Sequence, residues 1–141
     1  MMTVPTGLNH VAMSVPAGTL TDQYRSELLE FYNNLFGWRE IDSLRLPDRL
    51  TVSVGRHCYL NVRERPDPMV CSGYEHFGIV VASAEETERL WNILARDPRE
   101  VHLEQLEKGD DGFRSFRFRY LLPLTVEVQF FPQHDEPRRP A

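Results

Sequence analysis

At 141 residues, with 41% hydrophobic and 26% charged residues, the chain can bury one proper core but is too short for two independent domains of ordinary size. A net charge of −5 without a basic stripe argues against nucleic acid as a partner, since nothing would displace counterions from phosphates. No run of about 18 apolar residues is present to span a membrane, so no membrane association is expected.

The first residues, 1–7, lack the basic start and apolar block of a secretory signal. Cys58 and Cys71 have no metal-binding spacing and read as reduced thiols, so the expected location is cytoplasmic.

In chain order, residues 8–15 alternate as a strand that Pro16 and Gly18 end. Thr21-Asp22 reads as a helix start. Tyr24, Leu28, Phe31 and Leu35 then fall on one helical face, and Gly37 is placed to cap the C-terminus. Three strands are expected next, over 38–45, 50–54 and 57–63, with turns at Pro47-Asp48 and Gly55-Arg56. The polar, proline-rich stretch 64–68 reads as a linker.

The order then repeats. A strand is expected over 74–81, and Ser83 and Glu86 have the spacing of a capping box. A helix over 85–96 puts Leu90, Ile93 and Leu94 on one side until Asp97-Pro98 stops it. Strands are expected over 101–106, 113–120 and 124–131, with a turn at 109–112. The tail from Pro132 reads as flexible.

The chain is therefore expected to be α+β: two βαβββ modules forming paired curved mixed sheets around a cavity. One domain spans 1–132, with modules at about 7–64 and 73–132, a linker over 65–72, and a tail over 133–141. Within this repeat, polar residues recur at matched places. His10 and His76 open the two modules 66 residues apart (76 − 10). Glu127 lies 51 residues beyond His76 (127 − 76), and the same offset from His10 lands on Asn61. Strand alternation puts His10 with Leu8, Ala12 and Ser14, and Glu127 with Thr125 and Gln129, each opposite an aliphatic face. A lone strand histidine is ordinarily a satisfied core residue. Two in register with a glutamate at a matched offset point instead to a metal site.

The residues Leu8-Asn9-His10-Val11-Ala12, Phe31-Tyr32-Asn33-Asn34-Leu35-Phe36-Gly37-Trp38, Tyr74-Glu75-His76-Phe77-Gly78 and Val126-Glu127-Val128 resemble the vicinal oxygen chelate superfamily. That superfamily includes glyoxalase I, extradiol dioxygenases, methylmalonyl-CoA epimerase and the fosfomycin- and bleomycin-resistance proteins. The resemblance runs from Leu8 to Phe131. It implies that His10, His76 and Glu127 are metal ligands and that Asn61 falls where some members place a fourth, Glu or Gln. It also implies a homodimer. Where members carry an Asp-Pro-x-Gly turn before the closing strand, this chain has Leu121-Leu122-Pro123-Leu124, a departure that bears on the aim of Glu127.

Two imidazoles and a carboxylate leave coordination positions open, and divalent Fe, Mn, Zn and Ni all suit such a set. The implied substrate is a small molecule with adjacent oxygen donors. The asymmetry of three strong ligands and an Asn leans toward dioxygenase-like chemistry. Glyoxalase or epimerase chemistry, fosfomycin-type transfer, and drug binding without catalysis are the alternatives.

His57 and Tyr59, reading on the same strand face as Asn61, are acid–base candidates, with a rim position as the competing reading. Arg117 and Arg119 share a face and read as the solvated side of an edge strand, with anion binding as the competing role. His102 and His134 read as surface residues, and Trp38 and Trp91 as packing residues.

Overall fold

The computed structural model describes residues 6–132, and the expected tail with His134 lies outside them. The chain divides between Val70 and Cys71 into two compact units, each with one helix and one mixed sheet. The architecture is the α+β repeat of βαβββ modules expected from the sequence, with its sheets not closed into a barrel.

In the first unit β1 (His10–Pro16) leads to α1 (Asp22–Phe36), β2 (Arg39–Glu40), β3 (Arg49–Gly55) and β4 (Cys58–Arg65). The sheet order is β1-β4-β3-β2, with β1 parallel to β4 and the other pairs antiparallel. Thr21 caps α1 through its side chain, which accepts from the Tyr24 N–H at 3.1 Å. Gly37 closes the helix in the left-handed region at φ 74°, where a side chain would be strained. Leu28, Phe31 and Tyr32 pack beneath the sheet with Met13, Val15, Leu50, Val52, Leu60 and Val62.

The expected strand over 38–45 is shorter than its pattern. Trp38 is buried and stacks on Tyr32 with centroids 5.1 Å apart. Only Arg39–Glu40 then pair, and Asp42–Leu44 form a 3₁₀ turn.

The second unit repeats the plan with β5 (His76–Val80), α2 (Ala84–Ala95), β6 (His102–Leu103), β7 (Glu107–Lys108), β8 (Arg114–Arg119) and β9 (Thr125–Phe130). β5 is parallel to β9, β8 is antiparallel to β9, and both β6 and β7 pair with β8. The expected strand over 101–106 survives only at His102–Leu103. Ser83 caps α2 by accepting from the Glu86 N–H at 3.0 Å. Leu90 and Leu94 are buried on Phe116, Phe118, Val126 and Val128, whereas Ile93, expected on the same side, is exposed.

Candidate metal centre

The two sheets place their polar residues by the same register. In the first unit His10 is the Cα partner of Tyr59, and Ala12 that of Asn61. In the second, His76 partners Thr125, and Gly78 partners Glu127. Each histidine therefore stands two residues before the position that faces Asn61 or Glu127. That facing position holds one of the two smallest residues, Ala12 or Gly78, so little side chain crowds the space above it. Paired residues share a sheet face. His76, Gly78, Glu127, Ser115 and Arg117 consequently line one side of the second sheet, and Val126, Val128, Phe116 and Phe118 the buried side.

On that polar face His76 and Glu127 meet, with Nε2 standing 3.1 Å from Glu127 Oε2. The other nitrogen, Nδ1, lies 2.6 Å from the Tyr74 carbonyl oxygen. A carbonyl only accepts, so Nδ1 carries the hydrogen and Nε2 is the nitrogen presented to Glu127. The other glutamate oxygen, Oε1, accepts from the Ser115 hydroxyl at 2.8 Å, and Ser115 is buried. Each partner thus has its far atom tied and its near atom aimed inward. Outer hydrogen bonds orient metal ligands in this way.

Leu121, in the segment that departs from the family turn, sits in the left-handed region at φ 61°, and the Leu122 N–H donates to the Tyr120 carbonyl at 2.7 Å. The unusual turn nevertheless delivers β9 with Glu127 facing His76.

In the first unit the His10 ring stacks on Tyr59, with centroids 5.0 Å apart and planes 8° from parallel. Its Nδ1 lies 2.6 Å from Asn9 Oδ1, again leaving Nε2 as the free nitrogen. Asn61 Oδ1 is buried and has no hydrogen-bond partner among the described residues. An orphaned buried acceptor costs about 1–3 kcal/mol unless a donor or cation reaches it, so it is a good place for a cation to sit. Each unit by itself thus holds donor atoms of the kinds that divalent metals accept: His76 Nε2 and Glu127 Oε2 in the second, His10 Nε2 and Asn61 Oδ1 in the first. Within neither unit, among the described residues, do three or more His, Cys, Asp or Glu side chains gather as a metal-holding group.

His57 lies in the turn before β4, exposed and at φ 64°, so the strand alternation that pairs Tyr59 with Asn61 does not extend to it. Arg117 and Arg119 are not on an edge strand, because β8 is flanked by β9 on one side and by β6 and β7 on the other. A cavity of about 520 Å³ opens on this face, lined by Arg117, Glu127, Ser115, Glu104, His102 and Phe116 among others. Sequence reading missed Ser115, Gly78 and the Tyr74 carbonyl. Ser115 sits at even spacing from Arg117 on one strand, a parity signal that was available. The carbonyl left no trace in residue type. Both cysteines are free thiols, and no described helix is long and apolar enough to cross a membrane.

No family model matches the chain, and no curated protein matches it. Solved structures do. The genomically encoded fosfomycin resistance protein FosX from Listeria monocytogenes, complexed with Mn(II) and sulfate, is 17% identical, with a TM-score of 0.65 over 92% of this chain and 94% of that one. Lactoylglutathione lyase from Agrobacterium tumefaciens is 19% identical, with a TM-score of 0.61 over 90% and 95%. A glyoxalase/bleomycin resistance protein/dioxygenase from Nocardioides is 14% identical, with a TM-score of 0.62 over 100% and 93%. The chain has the fold of the vicinal oxygen chelate superfamily, the family its sequence resembles.

Proposed function

We propose that the protein is a metal-dependent enzyme of the vicinal oxygen chelate type acting on a small molecule with adjacent oxygen donors. His10, His76 and Glu127 are its metal ligands, and the working assembly is a homodimer. The observation that carries this reading is the His76–Glu127 pair, whose outer atoms are occupied by Tyr74 and Ser115 while Nε2 and Oε2 converge at 3.1 Å. A divalent ion held there supplies Lewis-acid polarisation of two neighbouring substrate oxygens.

The chain's own residues do the rest. The Tyr74 carbonyl and Asn9 hold the imidazoles in the tautomer that offers Nε2. Ser115 holds one glutamate oxygen so that the other is offered alone. Leu103 and Leu106 give the cavity apolar wall, which limits the water around the reacting oxygens. Tyr59, against the His10 ring, is the acid–base candidate on the first sheet. A set of two histidines and one carboxylate favours dioxygenase-like chemistry with Fe(II). The second reading is glyoxalase- or epimerase-like proton transfer with Asn61 as a fourth ligand, and the orphaned Asn61 Oδ1 favours it.

The test is metal content. Chelator-treated protein reloaded in turn with Fe(II), Mn(II), Zn(II) and Ni(II) is expected to bind at least one of them near one equivalent per chain. His76→Ala and Glu127→Gln are each expected to lower that affinity at least tenfold. Protein that binds none of the four would be a ligand-sequestering relative without chemistry. Oxygen uptake with catechols by the Fe(II)-loaded protein separates the dioxygenase reading from the proton-transfer one.

A further inference from the structure

The cavity beside Glu127 contains a cation that the metal reading leaves unused. Arg117 is the Cα partner of Glu127 across β8 and β9, so the two side chains rise from neighbouring points on one face. The guanidinium nevertheless pairs elsewhere. Its Nε stands 3.2 Å from Glu104 Oε2, and its Nη2 donates to Glu104 Oε1 at 3.3 Å, a two-pronged grip on one carboxylate. This is the geometry in which arginine recognises carboxylates most strongly.

Glu104 has no structural need of that grip. Its backbone is already fixed at both ends: its N–H donates to the Arg117 carbonyl at 2.9 Å, and its own carbonyl accepts from Trp91 Nε1 at 3.0 Å. The two side chains are 39% and 29% exposed, so their pair is worth only about 0.2–1 kcal/mol. Glu104 can leave Arg117 without unsettling the segment that carries it.

We propose that Arg117 is a carboxylate-binding subsite within this cavity, and that the Glu104 carboxylate is an internal stand-in which a substrate carboxylate displaces. The inference rests on the reading of this cavity as the substrate site of the metal centre. It narrows the substrate to a small molecule bearing a carboxylate within a few bonds of its paired oxygens, because Arg117 and Glu127 are direct cross-strand neighbours with Cβ atoms about 5 Å apart. Glu107 and Glu127 also line the cavity, so the Arg117 guanidinium is what offsets their charge for an incoming anion.

The test is a titration of the full-length, chelator-treated protein with benzoate and with benzamide, its uncharged isostere, followed by NMR at the Arg117 Nε–H. Benzoate is expected to shift that resonance and benzamide to leave it in place. Glu104→Gln, which removes the competing charge, is expected to tighten benzoate about three- to fivefold without changing benzamide. Arg117→Met is expected to abolish the benzoate preference. Should Glu104→Gln fail to fold, Glu104→Asp, with its carboxylate drawn back, is expected to tighten benzoate in the same direction. Equal binding of the two probes, or benzoate binding unmoved by loss of the Glu104 charge, would overturn the proposal. Because the subsite needs no metal, His76→Ala is expected to retain the benzoate preference. A protein that binds no metal yet passes this test would lose the chelate reading and keep the subsite, and the converse result would do the reverse.

Discussion

At the scale of single residues, the site turns on a serine. Ser115 is buried and spends its hydroxyl on Glu127 Oε1. Ser115→Ala leaves that oxygen free to compete for the metal or to turn away, and is expected to weaken metal affinity by about 10- to 100-fold while barely moving the fold. Titration of the stripped variant with Mn(II) reads the loss, and unchanged affinity would show that β9 alone aims Glu127. His57 makes the opposite case. It is exposed at φ 64°, where a side chain on the backbone is strained, so His57→Gly is expected to stabilise the protein. The gain is up to about 1 kcal/mol after allowing for the greater freedom of glycine in the unfolded chain. Urea unfolding measures it, and a loss of turnover in the same variant would instead restore His57 as an acid–base residue.

At the scale of elements, buried charge joins α1 to the loop before β3. Arg25 is 4% exposed and donates to the carbonyls of Leu20, Leu46, Pro47 and Arg49, with Glu40 3.9 Å away. Arg25→Met strips those carbonyls of their donor and leaves Glu40 only the half-exposed Arg45, 3.7 Å away, and is expected to cost about 3 kcal/mol. The pair Arg25→Met/Glu40→Met is expected to recover part of this in denaturant unfolding, because the poorly compensated carboxylate is gone.

The second unit has a titrating clasp of its own. Glu88 accepts from Arg114 and meets Lys108, and these contacts hold its carboxyl below the ordinary 4.5. A folded-state value lowered in this way adds stability that is complete above the unfolded carboxylate range and is lost as pH falls through the lowered value. Glu88→Gln is therefore expected to flatten the decline in stability below about pH 4.5, while leaving the shape of the curve above it unchanged.

These elements also show where a sequence is readable. β1, β5, β8 and β9 are legible because apolar and polar residues alternate along them, one face meeting a helix and the other not. The segment 38–45 misleads because Trp38 is claimed by Tyr32, and pairing with β3 ends where the Ile41 N–H donates to the Thr51 carbonyl, just before the 3₁₀ turn at Asp42–Leu44. The segment 101–106 misleads because the pairing with β8 ends at Glu104, whose N–H still bonds to Arg117 but whose carbonyl accepts from Trp91. Arg25 is illegible in principle, since a charged residue on a helix reads as solvated until the loop carbonyls that satisfy it are in place. Arg117 and Arg119 read as an edge face only because sheet order is not written in a strand's own residues.

At the scale of the whole molecule, duplication makes the site legible at all. One histidine on a strand says little. The same offset in two halves puts His10 over Ala12 and Asn61, and His76 over Gly78 and Glu127, in one shared register. The halves have then diverged: the second offers a carboxylate tied by Ser115, the first an amide with an orphaned oxygen. A divalent metal that binds only the folded state adds stability by mass action, about 2.7 kcal/mol at a hundredfold excess over its dissociation constant. Thermal unfolding with and without Mn(II) is expected to show that gain in the native sequence and not in His76→Ala.

The ligand assignment is tested most directly by X-ray absorption on the Zn(II)-loaded protein, which counts the imidazoles in the metal's inner shell. Two are expected for the native sequence, falling to one in His10→Ala and one in His76→Ala. A bound metal with no histidine in its shell, or a count of two that persists in His10→Ala, would contradict the assignment of that histidine to the site.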